Sequence, residues 1–328
     1  MTDPTSPLHL RPFQQADAPA VADLVTRSVR GLWTSRPEHF RESTSPERRR
    51  LVAVQGGEVV ATAHLAPFGD SAPDALRLDL AGEGAAFSPL YLALLAQSEL
   101  VRWPAGFSRL LGVTRKDFSE KMTFFAAAGF RNAWQSWGAH LDLGTWDPGR
   151  FRALEERLFL EGYEAERWRM DAPEAEWQAL YALHRRGEAD APRNPTTMTA
   201  PLDLPALREV MTREEAVFVV RRRGEVLALT RLTLPQDRNL QTAGEVSSDL
   251  TTTHPAHRGR GLATLVKAHA LAWAQAEGYA RAGTGGAILN LPMLRVNTRL
   301  GYVPEAMWVT WERRLRTPDV EVRKYSEL

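Results

Sequence analysis

The sequence predicts a mixed α/β chain in which one domain-sized unit occurs twice in tandem. Length is the first sign: 328 residues suit two domains of about 150 residues each. The second is a repeated hairpin pattern. Gln55-Gly56-Gly57-Glu58-Val59-Val60-Ala61 resembles Arg222-Arg223-Gly224-Glu225-Val226-Leu227-Ala228, and each turn sits between alternating apolar runs. The third is a repeated ending. Ala128-Gly129-Phe130 and Leu300-Gly301-Tyr302 each close a helical pattern at a glycine, the residue that best adopts the left-handed stop. A tryptophan-rich strand pattern follows in both halves, Trp134 to Leu143 and Met307 to Leu315. Both comparisons give an offset of about 170 residues, the size of a domain rather than of a solenoid repeat.

Each element can be read in order. A helix over Ala16 to Val29 opens the first copy, and one over Pro173 to Arg186 opens the second. Hairpins follow, Leu51–Val54 with Val59–Leu65 and Val217–Val220 with Val226–Leu234. Between helix and hairpin the second copy carries Asp190-Ala191-Pro192-Arg193-Asn194-Pro195, which breaks helix and strand alike. A long strand ends at Thr251-Thr252-Thr253, and Pro255, lacking an N–H, stops its ladder. Leu262, Leu265, Val266, Ala270 and Trp273 then fall on one helical face, which Glu277-Gly278 ends. The junction Gly144 to Gly149 divides the chain into domains 1–147 and 148–328.

Composition narrows the function. Apolar residues make up 44% and charged residues 25%, as in an ordinary globular protein. The net charge of +1 offers no global field for nucleic acid or a membrane surface. With no cysteine, thiolate nucleophiles, disulfides and thiolate metal sites are excluded. The N-terminus has no apolar core of a signal peptide, and no run approaches a membrane span, so a cytoplasmic location is expected.

The informative chemistry lies in His257-Arg258-Gly259-Arg260-Gly261-Leu262-Ala263, between a strand and a helix. Strand, glycine turn and helix start together make an anion cradle. Successive N–H groups face one concavity, and the helix terminus adds partial positive charge. Gly259 and Gly261 let the backbone approach the anion, and Arg258 and Arg260 can add charged hydrogen bonds. The Gly-Lys-Ser/Thr of a P-loop is absent, and the dinucleotide fingerprint is half present and too late in its domain. The pyrophosphate of coenzyme A is the best remaining anion.

This stretch resembles the cofactor segment of the GNAT superfamily of N-acetyltransferases. Their Gln/Arg-x-x-Gly-x-Gly/Ala motif falls on Arg258, Gly261 and Ala263, followed downstream by Asn290-Leu291-Pro292-Met293, Asn297 and Gly301-Tyr302. The layout of that family covers nearly all of residues 163 to 315. The resemblance implies a tandem pair of GNAT-like acyl-CoA N-acyltransferase domains, with acetyl-CoA as co-substrate, a small-molecule amine as acceptor and no metal. It also implies roles. Thr251 and Thr253 would offer backbone N–H groups to pantetheine and thioester, Arg258 to Ala263 would hold pyrophosphate, and Asn290 would bind the pantetheine arm. The amine would attack the thioester directly, in keeping with the absent cysteine and the absent Gly-x-Ser-x-Gly elbow.

The proton-transfer groups are less determined. Where many members of the family carry a tyrosine acid stands Asn297, which has no acidic proton but can hydrogen-bond the sulfur. Glu245 and Asp249 are both base candidates, with His184 and Asp190 behind them. Asn290 also suits a helix N-cap. His254 and His257 lack the Glu of His-Glu-x-x-His and are not read as zinc ligands. Arg221 to Arg223 read as a solvated turn, and His269 as a packed histidine.

Applying the same offset to the first half puts Arg258, Gly261 and Ala263 near Ala86, Pro89 and Tyr91, and puts Asn290 and Asn297 on Phe118 and Phe125. The loop there carries Glu83 and no basic residue. The expectation is a degenerate first domain that keeps the fold without the cofactor.

Overall fold

The computed structural model describes residues 6–45, 47–100, 107–192, 201–235 and 244–315. In chain order its elements are β1 (His9–Pro12), α1 (Ala18–Ser28), β2 (Arg49–Gln55), β3 (Glu58–Pro67), β4 (Ala75–Gly82), α2 (Phe87–Leu100), β5 (Arg109–Arg115), α3 (Ser119–Ala127) and β6 (Arg131–Asp142). Then come α4 (Arg152–Leu160), β7 (Glu164–Arg167), α5 (Glu174–Asp190), α6 (Leu204–Glu214), β8 (Glu215–Arg222), β9 (Glu225–Thr233) and β10 (Glu245–Thr253). The chain closes with α7 (Leu262–Ala276), β11 (Arg281–Ala287), α8 (Leu291–Leu300), β12 (Val303–Pro304) and β13 (Trp308–Arg314). The expected Pro-rich loop lies outside the described residues from Arg193 onward.

The chain divides into two compact units, and the division departs from a cut after residue 147. Of the described residues, one unit holds those up to 135 and 308–315; the other holds those of 136–192 and 201–307. The boundary falls inside β6, because each unit takes its last strand from the other half of the sequence. In the first unit β1 to β5 lie side by side in order and β13 flanks β5 antiparallel, from Trp308 opposite Arg115 to Arg314 opposite Arg109. In the second unit the order is β7-β8-β9-β10-β11, and residues 136–142 of β6 flank β11 antiparallel. The pairs β4–β5 and β10–β11 are parallel. Both copies of the repeat therefore show the same strand order, with an exchanged sixth strand.

Each unit has its own core. In the first, Leu78, Leu80, Phe87, Leu90, Tyr91, Phe124, Phe125, Phe130 and Trp311 are buried together. In the second, α7 buries Leu262, Leu265, Val266, Ala270 and Leu271 against Ala216, Phe218, Leu232 and Val246 of the sheet. The other face of that sheet is covered by Trp177, Leu180 and Leu183 of α5 and by Leu207 and Met211 of α6. Strand alternation thus gives β8 to β10 two faces with different neighbours.

Candidate active site in the second unit

The site begins where two parallel strands part. β10 and β11 pair from Glu245 opposite Arg281 to Ser248 opposite Thr284, and no further. At the same point the ladder of β10 with β9 slips between Ser248 and Thr251, a bulge that leaves Asp249 and Leu250 across from Arg231. Beyond it β10 stays with β9, and the His254 N–H donates to Leu227 O. Antiparallel alternation then turns the N–H groups of Thr251 and Thr253 to the side that β11 has left. Side chains add one more polar atom, since Thr253 Oγ1 is buried and unpartnered, whereas Thr251 Oγ1 bonds Thr230 Oγ1 at 2.7 Å.

The glycine turn follows. Gly259 has φ +76° and Gly261, the N-cap of α7, has φ +101°, conformations that side chains disfavour. The N–H groups of Gly259, Arg260, Gly261, Leu262 and Ala263 find no acceptor among the described residues. Arg258 is partly engaged: its Nε donates 3.1 Å to Thr253 O, and its guanidinium meets the Asp190 carboxylate. Asp190 is thereby an anchor of the turn, with Arg186 3.3 Å away. Arg157 donates 2.7 Å to Arg260 O, and the Arg260 guanidinium is 4.0 Å from Glu161, leaving it half-exposed.

Asn290 caps α8, its Oδ1 accepting from the Met293 N–H at 3.4 Å, which leaves its amide nitrogen for another partner. Asn297 is fully buried, and neither its Oδ1 nor its Nδ2 has a partner. The Tyr302 hydroxyl is likewise buried and unpartnered, and burial, with Glu245 adding to it, holds its pKa well above the usual value. Burying amide and hydroxyl groups without hydrogen bonds costs about 1–3 kcal/mol each. The unpartnered polar atoms of Thr253, Asn297 and Tyr302 are groups that the amides and thioester of a pantetheine arm would satisfy. The cradle and these atoms fit that cofactor.

Two charged clusters lie on β10. Arg231 of β9 is buried, donates to Glu215 through Nε at 2.7 Å and through a second nitrogen, and contacts Asp249 at 3.2 Å. Its third nitrogen lies 2.6 Å from His184 Nε2. Burial, with Arg231 and Arg185 beside it, takes the His184 pKa down to about 4, so the ring is neutral and accepts from Arg231. Asp249 and His184 are therefore both tied to Arg231. The other cluster is centred on His140, which sequence reading missed because it stands in the first half of the chain. Residue 140 enters the second unit on β6, where its Nδ1 lies 3.2 Å from Glu245 Oε1 and its Nε2 contacts Glu305. Gly283 makes room for this: a Cβ there would stand 2.6 Å from Glu245 Oε1 and 3.7 Å from the His140 ring. Arg281 completes the group, 3.5 Å from Glu245.

Lys267 was also missed. It is buried on α7, donates 2.6 Å to Ser248 Oγ at the fork of the strands, and lies 5.4 Å from the Tyr302 ring centre. Burial takes its pKa down to about 7. Other expectations change in detail. His269 is not packed in the core; it pairs with Glu155 at 2.8 Å, partly exposed. His257 Nδ1 meets the Tyr163 hydroxyl at 2.8 Å. Arg221 lies in β8 and pairs with Glu166 and Glu176, while Arg223, at φ +50°, forms the turn. Among the described residues no group of three or more acidic or histidine side chains is placed to hold a metal. No helix among them is long and apolar enough to cross a membrane.

Residues 167–302 match the model of the acetyltransferase (GNAT) family. The fold is similar to that of a GCN5-related N-acetyltransferase from Sphaerobacter thermophilus, at 15% identity and TM-score 0.60, covering 95% of this chain and 98% of that one. It is similar also to a tandem GNAT protein from the clavulanic acid biosynthesis pathway, at 20% identity and TM-score 0.57, covering 95% and 100%. A GCN5-related glucosamine N-acetyltransferase region of a fungal multi-domain β-N-acetylglucosaminidase aligns at 14% identity and TM-score 0.60, covering 94% of this chain and 38% of that one. No curated protein matches the sequence. The chain thus shares the fold of these GCN5-related and tandem GNAT structures, and its residues 167–302 match the acetyltransferase (GNAT) family model.

Proposed function

We infer that the second unit transfers an acyl group, acetyl from acetyl-CoA, to a small-molecule amine by direct attack. The observation that carries this is the fork at Ser248 and Thr284, which leads to a glycine turn with unpartnered N–H groups, in a unit that also buries Asn297 with no partner of its own. In this reading Gly259 to Ala263 hold the pyrophosphate, with the Arg260 and Arg258 side chains beside it. The N–H groups of Thr251 and Thr253 and the Asn290 and Asn297 amides bind the pantetheine arm. Bound acyl-CoA supplies an activated carbonyl whose leaving group is a thiolate. The match to an acyltransferase family supports the reaction class. The acceptor, the acetyl donor, a cytoplasmic location and the absence of nucleic-acid or membrane partners are parts of the proposal.

The amine reaches the protein as an ammonium and must lose a proton before it attacks. Glu245 is the better base. Asp249 is held by Arg231 at 3.2 Å, whereas Glu245 adjoins His140, whose other ring nitrogen contacts Glu305, and lies 3.5 Å from Arg281. His140→Gln and Glu245→Gln should each lower kcat/KM by about 10²–10⁴-fold, while Asp249→Asn should have a smaller effect. Thiol release from acetyl-CoA across a panel of amines, followed against pH, measures this. Acetyl-CoA that binds but is never consumed with any amine would instead mark an acyl-CoA-binding module without catalysis, the reading that the missing tyrosine at Asn297 favours.

A further inference from the structure

The hairpins β2–β3 and β8–β9 share one register. Gln55 faces Glu58 as Arg222 faces Glu225, Arg50 faces His64 as Val217 faces Arg231, and both ladders slip one pair before the turn. On this correspondence His64 is the counterpart of Arg231, and Arg48, just ahead of β2, is the counterpart of Glu215. In the second unit the buried cation is answered by a carboxylate of the same sheet. In the first unit an arginine stands where that carboxylate would be.

These positions line a cavity of about 650 Å³ that also includes Phe13, Phe40, Arg41 and Arg50. Among the described residues no carboxylate forms an ion pair within 4.0 Å of Arg41, Arg48 or Arg50, and Asp79 reaches Arg50 only at longer range. Two carboxylates, Glu38 and Glu42, line the same cavity, and Asp79 lies beside His64. Glu42 accepts from the Gln15 N–H at 2.6 Å, Glu38 lies 3.9 Å from Arg36, and Asp79 pairs with Arg77 at 2.9 Å and lies 3.6 Å from His64. The Arg50 guanidinium sits 5.0 Å from the Phe40 ring centre and 6.0 Å from that of Phe13. Burial takes its pKa down to about 10, so it keeps its charge at neutral pH in a poorly hydrated place. The one carboxylate whose charge reaches it, Asp79, is shared with Arg77 and His64, and a desolvated cation that is only partly neutralised is unfavourable.

We propose that this cavity binds a small organic molecule carrying an oxyanion, carboxylate or phosphate, which gives the first unit the negative charge that Glu215 gives the second. The volume exceeds that of an inorganic ion, so the oxyanion carries an organic body that lies along Phe13 and Phe40. The site is independent of the acyl-CoA cradle, which belongs to the other unit.

Titration calorimetry on the full chain tests this with phenylacetate and phenyl phosphate as the two anionic probes and benzyl alcohol as the neutral one. The expected result is one site per chain for at least one anion and none for the alcohol. Affinity should fall at least tenfold in Arg50→Met and vanish in Arg48→Glu, which installs the internal carboxylate. It should persist in Gly261→Asp, which separates this site from the turn in the second unit. Arg48→Glu should also raise Tm without ligand, which shows that the variant is folded. Three outcomes would overturn the proposal: neither anion binds at millimolar concentration, both arginine variants bind as the parent does, or binding is lost in Gly261→Asp.

Discussion

The two units run the same element order to different ends, and the difference is concentrated in two places. Between β10 and α7 lie residues 254–261, with the glycine turn; between β4 and α2 lie only residues 83–86, a short 3-10 turn that runs straight into the helix. The first unit therefore has no counterpart of Arg258 to Gly261 at all, rather than the substituted one that a constant offset predicts. Ahead of α3 and α8 the offset does hold. Phe118 is the N-cap residue of α3 as Asn290 is of α8, and Phe125 sits seven residues further on, as Asn297 does. Strands β4 and β5 part after Arg77 and Leu111 much as β10 and β11 do. In the first unit, however, Phe125 fills the space, stacked 6.0 Å from Trp311 and so close to Gly112 that a Cβ there would meet its ring at 2.2 Å. One scaffold thus gives either a packed core or a polar cleft, according to whether one helix carries phenylalanine or asparagine.

The largest effect that sharpens this comparison comes from the turn. Gly261→Asp sets a carboxylate at the head of α7 and should reduce acetyl-CoA binding on the order of a hundredfold or more, because a buried anion would face another anion. Gly261→Ala controls for strain at φ +101° and for the 3.0 Å approach of Leu154 Cδ1. Calorimetry on the parent should give one acetyl-CoA per chain, and a ratio near two would break the comparison outright.

The next test exchanges the helix residues. Asn297→Phe should fill the cleft of the second unit and weaken acetyl-CoA binding while leaving a folded protein. Phe125→Asn should cost about 3 kcal/mol of stability, the scale of deleting a buried ring, and should add no second cofactor site. Urea unfolding and calorimetry read both; a new binding site in Phe125→Asn would mean that packing alone had closed the first cleft.

The smallest effect concerns buried lysines, one in each unit. Lys121 of α3 is held near a pKa of about 8 and Lys267 of α7 near about 7, both chiefly by burial. A depressed lysine pKa means that the unfolded chain binds more protons than the folded one between the two values. The stability of the parent should therefore rise with pH from about 7 to about 10.4, by at most about 1.4 kcal/mol per unit from Lys267. Lys267→Met should remove that part of the slope, measured as the difference between parent and variant unfolding at pH 7.5 and 9.5. Equal slopes would place Lys267 in better contact with water than its burial implies.

Sequence periodicity and punctuation were enough for the repeat, the hairpins, and the glycine turn and its helix. These are local: an αL glycine, an N-cap or an alternating strand is set by neighbours a few residues away. The same locality explains what was out of reach. His140 sits 105 residues before Glu245 in sequence, and only the exchange of β6 and β13 between the units brings the two together. Nothing in the local pattern of Ser136 to Asp142 says which sheet it will join, since an alternating strand suits either edge.

By itself, then, the sequence determined the fold class, the doubled unit and the glycine turn between strand and helix, because each is written in residue types at short spacing. The tertiary structure alone decided three further matters. It decided which half supplies each unit's last strand, that Asp249 is bound to Arg231 while Glu245 faces His140, and that Arg41, Arg48 and Arg50 of the first unit gather at one cavity with no ion pair within 4.0 Å among the described residues. Those outcomes depend on strand pairing and on the balance of buried charge, which arise only when distant segments are brought within a few ångströms of one another.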